Sequence, residues 1–158
     1  MNNDISYILR GEIMTCTFFG HRDCSDPVGP RLREIITDLV ENEGVRNFLV
    51  GDSGRFDMSV RFALRDVKKC HPEMNYVIVL AYFPEKKQSD YWNDYSETII
   101  PEGIENVHPR YAVNYRNNWM IDNSDLVVTY VTHTWGCSSR FVDRARKKGT
   151  RIISVLPL

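Results

Sequence analysis

The chain has 158 residues, 42% apolar and 26% charged, with 20 basic against 21 acidic side chains and a net charge of −1. That is the make-up of one folded domain with a sizeable core, and it lacks the basic stripe that nucleic-acid binding demands. No run approaches the ~18 apolar residues that span a bilayer, and "MNNDISYILRGEIMT" has no basic segment leading into an apolar stretch, so neither membrane insertion nor secretion is expected.

In chain order, "IMTCTFF" (residues 13–19) is β-rich and apolar without alternation, which predicts a strand covered on both faces. "GHRDCSDP" reads as a loop, with Ser25-Asp26-Pro27 as a helix start. Leu32, Ile35, Ile36, Leu39 and Val40 then recur at helical spacing. "VRNFLV" (45–50) predicts a second strand, and Phe56, Val60, Ala63, Leu64 and Val67 form the stripe of a second helix. "YVIVLA" (76–81) predicts a third strand.

Residues 82–113 have no clear period but hold Tyr82, Phe83, Tyr91, Trp92 and Tyr95, which predicts an irregular insertion that packs down onto the domain. "NYRNNWMIDNS" is a short helix, with Trp119 and Met120 toward the core. "DLVVTYV" (125–131) is a fourth strand and "THTWGCSS" a loop. "RFVDRARKKG" is a helix stopped by Gly149 after a basic last turn, and "RIISVL" (151–156) is a fifth strand. The fold class is therefore α/β, a Rossmann-like three-layer domain over residues 1–158 with its core at about 13–156 and a parallel sheet of about five strands.

Cys16, Cys24, Cys70 and Cys137 show no CxxC spacing, and Cys16 sits inside a buried strand. A cytoplasmic chain with free thiols, no structural zinc and no cofactor is expected. Cys70-His71 supplies two potential ligands, but nothing nearby completes a metal set.

In parallel α/β sheets ligands bind beyond the carboxyl ends of the strands, where the strand order reverses. Residues placed there deserve a chemical reading. Gly51, Asp52, Ser53 and Gly54 form a tight strand-to-helix turn whose following helix aims its N–H groups and positive dipole end at the corner. Ser53 adds a hydroxyl, while Asp52 and Asp57 suit ribose hydroxyls or a base edge better than phosphate. An ordinary βα turn with Ser53 or Asp52 as a cap is the competing reading. Thr134, Trp135, Gly136, Ser138 and Ser139 repeat the logic after the fourth strand. Trp135 either stacks on a flat base or seals the core edge, and His133 either meets a phosphate or stands by. Gly20, His21 and Arg22 follow the first strand, and Arg22 suits bidentate phosphate binding, with an exposed surface role as the alternative. Arg116 and Asn117 are placed to line the same cleft.

Taken together, "FFGHRDC", "VGDSGRFD", "ENVHPRYAVNYRNNWMIDNSDLVVTYVTHTWG" and "RARKKGTRII" resemble the SLOG superfamily, the Rossmann-like group that includes the LOG enzymes and DprA. The chain looks most like its short bacterial and phage YpsA/YoqJ-like branch, over roughly Met14 to Ile153. The resemblance implies a nucleotide pocket at the carboxyl edge of the sheet, drawing on Gly20, His21, Arg22, Gly51, Gly54, Asp57, Arg116, Asn117, Gly136 and Ser138. It also implies a homo-oligomer, a dimer or higher. LOG enzymes carry a catalytic Glu on the helix after the last Gly-rich loop, where this chain has "WGCSSRFVDRA" and no Glu at the matching place. The carboxylates left for an N-glycoside cleavage are Asp57 and Asp143, with Arg116 to hold phosphate.

The sequence thus predicts a protein that binds a nucleotide or a nucleotide- or NAD-derived small molecule as sensor, carrier or sequestering protein. A nucleotide N-glycoside hydrolase and an oligomeric interaction module are the alternatives. In the leading reading Arg22→Ala and Arg116→Ala both weaken binding and leave the fold intact.

Overall fold

Strands that are apolar without alternation must be covered on both faces, and the central ones here are. β1 (Thr15–Gly20) is followed by α1 (Gly29–Glu43), β2 (Asn47–Val50), α2 (Arg55–Cys70) and β3 (Asn75–Val79). After them come β4 (Glu97–Ile99), α3 (Ala112–Asp122), β5 (Leu126–Tyr130), α4 (Cys137–Lys148) and β6 (Arg151–Ser154). The structure, a computed structural model, describes residues 13–83 and 97–158. The strands form one sheet in the order β4-β3-β2-β1-β5-β6, and every neighbouring pair is parallel.

The period-2 geometry of a strand divides each one between two cores. On one face Phe18, Phe48, Val128 and Ile78 pack beneath the stripes of α1 (Leu32, Ile36, Leu39) and α2 (Phe56, Val60, Leu64). On the other, Phe19, Leu49, Val77 and Val127 meet Met120 and Ile121 of α3 and Phe141 and Ala145 of α4. This is a three-layer Rossmann-like α/β fold.

The sheet has six strands rather than about five. The extra one, β4, pairs with β3 through Val77–Glu97, Ile78–Thr98 and Val79–Ile99. At three residues it is too short to show a period, so it lay hidden in the stretch read as irregular. Two 3₁₀ turns, Ile104–Asn106 and Pro109–Tyr111, follow it in the same stretch. The expectation for Tyr91, Trp92 and Tyr95 falls outside the described residues. α1 begins at Gly29 rather than at Ser25, with Val28 as its N-cap and a proline in its first turn. Asp26 does not cap it, because its carboxylate accepts instead from the Tyr130 hydroxyl.

From β1 the chain crosses to β2 on one side, and later returns to β5 on the other side of β1. The helices that follow β1 and β5 therefore lie on opposite faces of the sheet, and a crevice lies at the carboxyl edge beside the ends of β1 and β2. Phe48 stacks on Phe18 at a centroid distance of 6.1 Å in the middle of the sheet that supports this crevice. Phe48→Ala should lower unfolding free energy by about 3–5 kcal/mol, measured as a shift of the urea midpoint at constant slope.

Candidate functional site

The turn at residues 51–54 is shaped by a side chain from across the sheet edge. Arg116, on α3, is only 1% exposed. Its Nη1 donates to Asp52 Oδ1 (2.7 Å) and to the Val79 carbonyl (2.9 Å). Its Nη2 donates to Ser53 Oγ (3.2 Å) and its Nε to Asn117 Oδ1 (2.7 Å). The guanidinium thus joins α3 to the ends of β2 and β3. Gly51 is where it fits, since a Cβ there would stand 3.1 Å from Arg116 Cζ and 2.7 Å from Asp57 Oδ2.

Asp57, in the first turn of α2, is a buried carboxylate on the wall of the crevice. Its Oδ2 accepts from the Ser53 N–H at 2.9 Å. Burial pushes its pKa up to about 6 from 3.8, although the Arg116 cation and the Ser53 hydrogen bond pull the other way. A carboxyl in this range exchanges protons near neutral pH, which is what acid–base work requires.

α2 and α4 begin in the same way. Gly54 and Gly136 are their N-caps, with φ/ψ of 99/−178° and 96/175°, a backbone region open essentially to glycine alone. At the first corner the Arg22 carbonyl accepts from the Arg55 N–H at 2.9 Å, and the Arg22 backbone lies against Gly54. At the second, Ser138 Oγ donates to the Gly20 carbonyl (2.7 Å), and Ser139 Oγ lies within reach of the Thr134 and Gly136 carbonyls. These hydroxyls are engaged in holding the corners. Each helix start carries the positive end of its dipole behind these contacts.

His21 is buried and locks the two loops together. Its Nε2 accepts from the Thr132 N–H at 2.9 Å, so the ring is neutral with its proton on Nδ1. It stacks on His133 (3.7 Å), which stacks in turn on Trp135 (4.0 Å). Burial first, then the neighbouring His133, lower the His21 pKa, while Asp23 opposes the shift.

These pieces line a small cleft that is open to solvent. Gly20, Arg22, Ser53, Asp57, Arg116, Asn117 and Ser138 line it, as do Phe19, Met120, Cys137 and Phe141. Seven of the residues singled out in the sequence are therefore brought together. Gly51, Asp52, Gly54 and Gly136 stand behind them as turn and cap residues. Asp143 is elsewhere: it is exposed on α4 and pairs with Arg146 at 2.9 Å. Thr134 and Trp135 are exposed beside the cleft, not within its wall. Cys137 was not singled out, and its only signal was its position between Gly136 and Ser138. At the far end of α2, both ring nitrogens of His71 lie 3.1 Å from carboxylates, those of Glu41 and Glu73. No group of three metal-ligating side chains occurs among the described residues, and no described helix is long and apolar enough to cross a membrane.

No family model and no curated protein matches the sequence. Among solved structures, the fold is similar to that of DNA processing protein A (DprA) from Streptococcus pneumoniae, with a TM-score of 0.67 at 16% identity. The match covers 93% of this chain and 51% of that one, so the chain spans about half the length of DprA. The fold is DprA-like. At this identity the likeness concerns backbone architecture, in agreement with the Rossmann-like layers described above.

Two predictions come from the electrostatics. Because Arg116 is bound to four internal partners, Arg116→Ala should cost about 3 kcal/mol of stability, measured by chemical denaturation, by leaving Asp52 without its cation. That differs from the sequence expectation of an unperturbed fold. For Asp57 the folded pKa lies above the unfolded one, so the folded state holds the extra proton between about pH 4 and 6. Its contribution to stability is full below that window and is lost as pH rises through about 6, by about 3 kcal/mol in total. Asp57→Asn removes this loss, so the variant should gain stability over wild type between about pH 4 and pH 6 and hold that gain, without further increase, at higher pH in parallel denaturation curves.

Proposed function

We propose that this chain is a SLOG-type domain of the YpsA/YoqJ-like kind that binds a nucleotide or a nucleotide-derived small molecule in the carboxyl-edge cleft. The observation that carries this reading is the convergence of two glycine-capped helix starts and the exposed Arg22 side chain on one cleft with a buried carboxylate in its wall. Helix starts and arginine favour the phosphate end of such a ligand. Asp57, or the carbonyl side of Asn117, suits its hydroxyl groups. A sensor, carrier or sequestering role follows, in a cytoplasmic setting and as a dimer or higher homo-oligomer.

Arg22 gives the sharpest test, because the fold uses its backbone while the residue is exposed and lines the cleft. The purified protein is titrated with nucleoside monophosphates, NAD and ADP-ribose by native mass spectrometry and calorimetry. Arg22→Ala should weaken binding about tenfold, as loss of a charge-assisted hydrogen bond does, with an unchanged melting temperature. Equal affinity in the two proteins would remove Arg22 from the site, and no binding across the panel would overturn the reading.

A second reading is favoured by one feature, the Asp57 carboxyl held near neutral pKa inside the cleft. It makes the protein a nucleotide N-glycoside hydrolase in which Asp57 stabilises the positive charge that builds on the sugar as the base leaves with the C1′–N electron pair and water adds at C1′. Release of free base and ribose phosphate, abolished in Asp57→Asn while binding persists, would establish it. An intact ligand recovered after long incubation would leave the protein a binder.

A further inference from the structure

Three rings rise from the protein interior to its surface beside the cleft. His21 is 7% exposed, His133 lies over it at 3.7 Å and 15°, and Trp135 lies over His133 at 4.0 Å and 17°. The two loops that carry these rings are fixed to each other. The Thr132 N–H donates to His21 Nε2, and His133 Nδ1 is 2.8 Å from the Trp135 carbonyl. Trp135 nevertheless remains 71% exposed. It does not seal the core edge. One face of its indole is covered by an imidazole, and the other faces solvent.

A large apolar ring held in place with one face bare has a specific physical meaning. Its orientation is already set by the rings beneath, so a ligand that covers it loses little of the freedom that ordering a mobile side chain would cost. Its position is also set. Gly136 follows it directly, and Cys137 and Ser138 line the cleft. His21 stands between Gly20 and Arg22, which line the cleft as well. The ring is thus one residue from the Gly136 cap and two from Cys137 of the cleft lining.

We infer that Trp135 is a stacking platform for a flat heteroaromatic ring of purine size, carried by a ligand whose anionic end occupies the cleft. This rests on the cleft reading above and adds the ligand's second half. Stacking recognises a π-face rather than a hydrogen-bond pattern, so the platform selects for ligands that bear a ring while tolerating different bases. His133 is a positioning residue, because it sets the plane of the indole.

The test uses the full chain and two probes, AMP and ribose 5-phosphate, titrated by calorimetry into wild type, Trp135→Ala, Trp135→Phe and His133→Ala. Wild type should bind AMP about tenfold more tightly than ribose 5-phosphate, the size of one base–aromatic stack. Trp135→Ala should erase that advantage and leave ribose 5-phosphate affinity unchanged. Trp135→Phe should keep most of it, and His133→Ala should lose part. AMP should also quench tryptophan emission in wild type and much less in Trp135→Phe. Ribose 5-phosphate binding without an AMP advantage would overturn the platform and leave the cleft reading standing. So would a Trp135→Ala variant weakened equally toward both probes, which is the mark of a structural role. Binding of neither probe to wild type would overturn the platform together with the reading it rests on.

Discussion

The guanidinium of Arg116 is planar and permanently charged, so it can be buried only where acceptors already stand in its plane. Here they come from three places in the chain: Asp52 and Ser53 after β2, the Val79 carbonyl at the end of β3, and Asn117 on α3 itself. The turn, the strand end and the helix are held in register by one group. Its charge has a further effect, because it moderates the cost of burying Asp57 beside it. The cleft wall is thus an electrostatic unit in which an acid is kept in the interior by a neighbouring base.

The opposite wall follows a different rule. It is held to β1 by neutral contacts, the Ser138 hydroxyl on the Gly20 carbonyl and the Thr132 N–H on His21. Both helix starts use a glycine in the same backbone region to turn the chain sharply from strand into helix. At the first corner the missing Cβ is what lets the Arg22 backbone lie against Gly54. Hydroxyls that looked like ligand donors are engaged in building the corners.

The layered fold was legible because its signals are local. The unbroken apolar run of β1 and the i, i+3, i+4 stripe of α1 each state what covers them. β4 was not legible, since three residues pair with β3 without displaying a period of their own. The site divides in the same way. Gly51, Gly54 and Gly136 announced their corners through spacing, and Arg22 and Asn117 fell on the cleft as their positions implied. The partner of Arg116 did not, because Asp52 lies far away in sequence and only the sheet brings the two together. Asp143 misled for the converse reason: nearness in sequence to the α4 corner says nothing about which side of the helix a residue occupies.

Among the described residues the sheet ends in two short edges, β4 with three residues and β6 with four. Each carries a charge at its first position, Glu97 on one and Arg151 on the other, and Arg151 is ion-paired to Glu43 of α1. A second sheet meeting either edge would find few backbone groups to ladder with, and a charged side chain to desolvate in doing so. The apolar central strands, which would be hazardous if they were bare, are sheltered between these guarded margins. Protection against aggregation is built into the order of the strands.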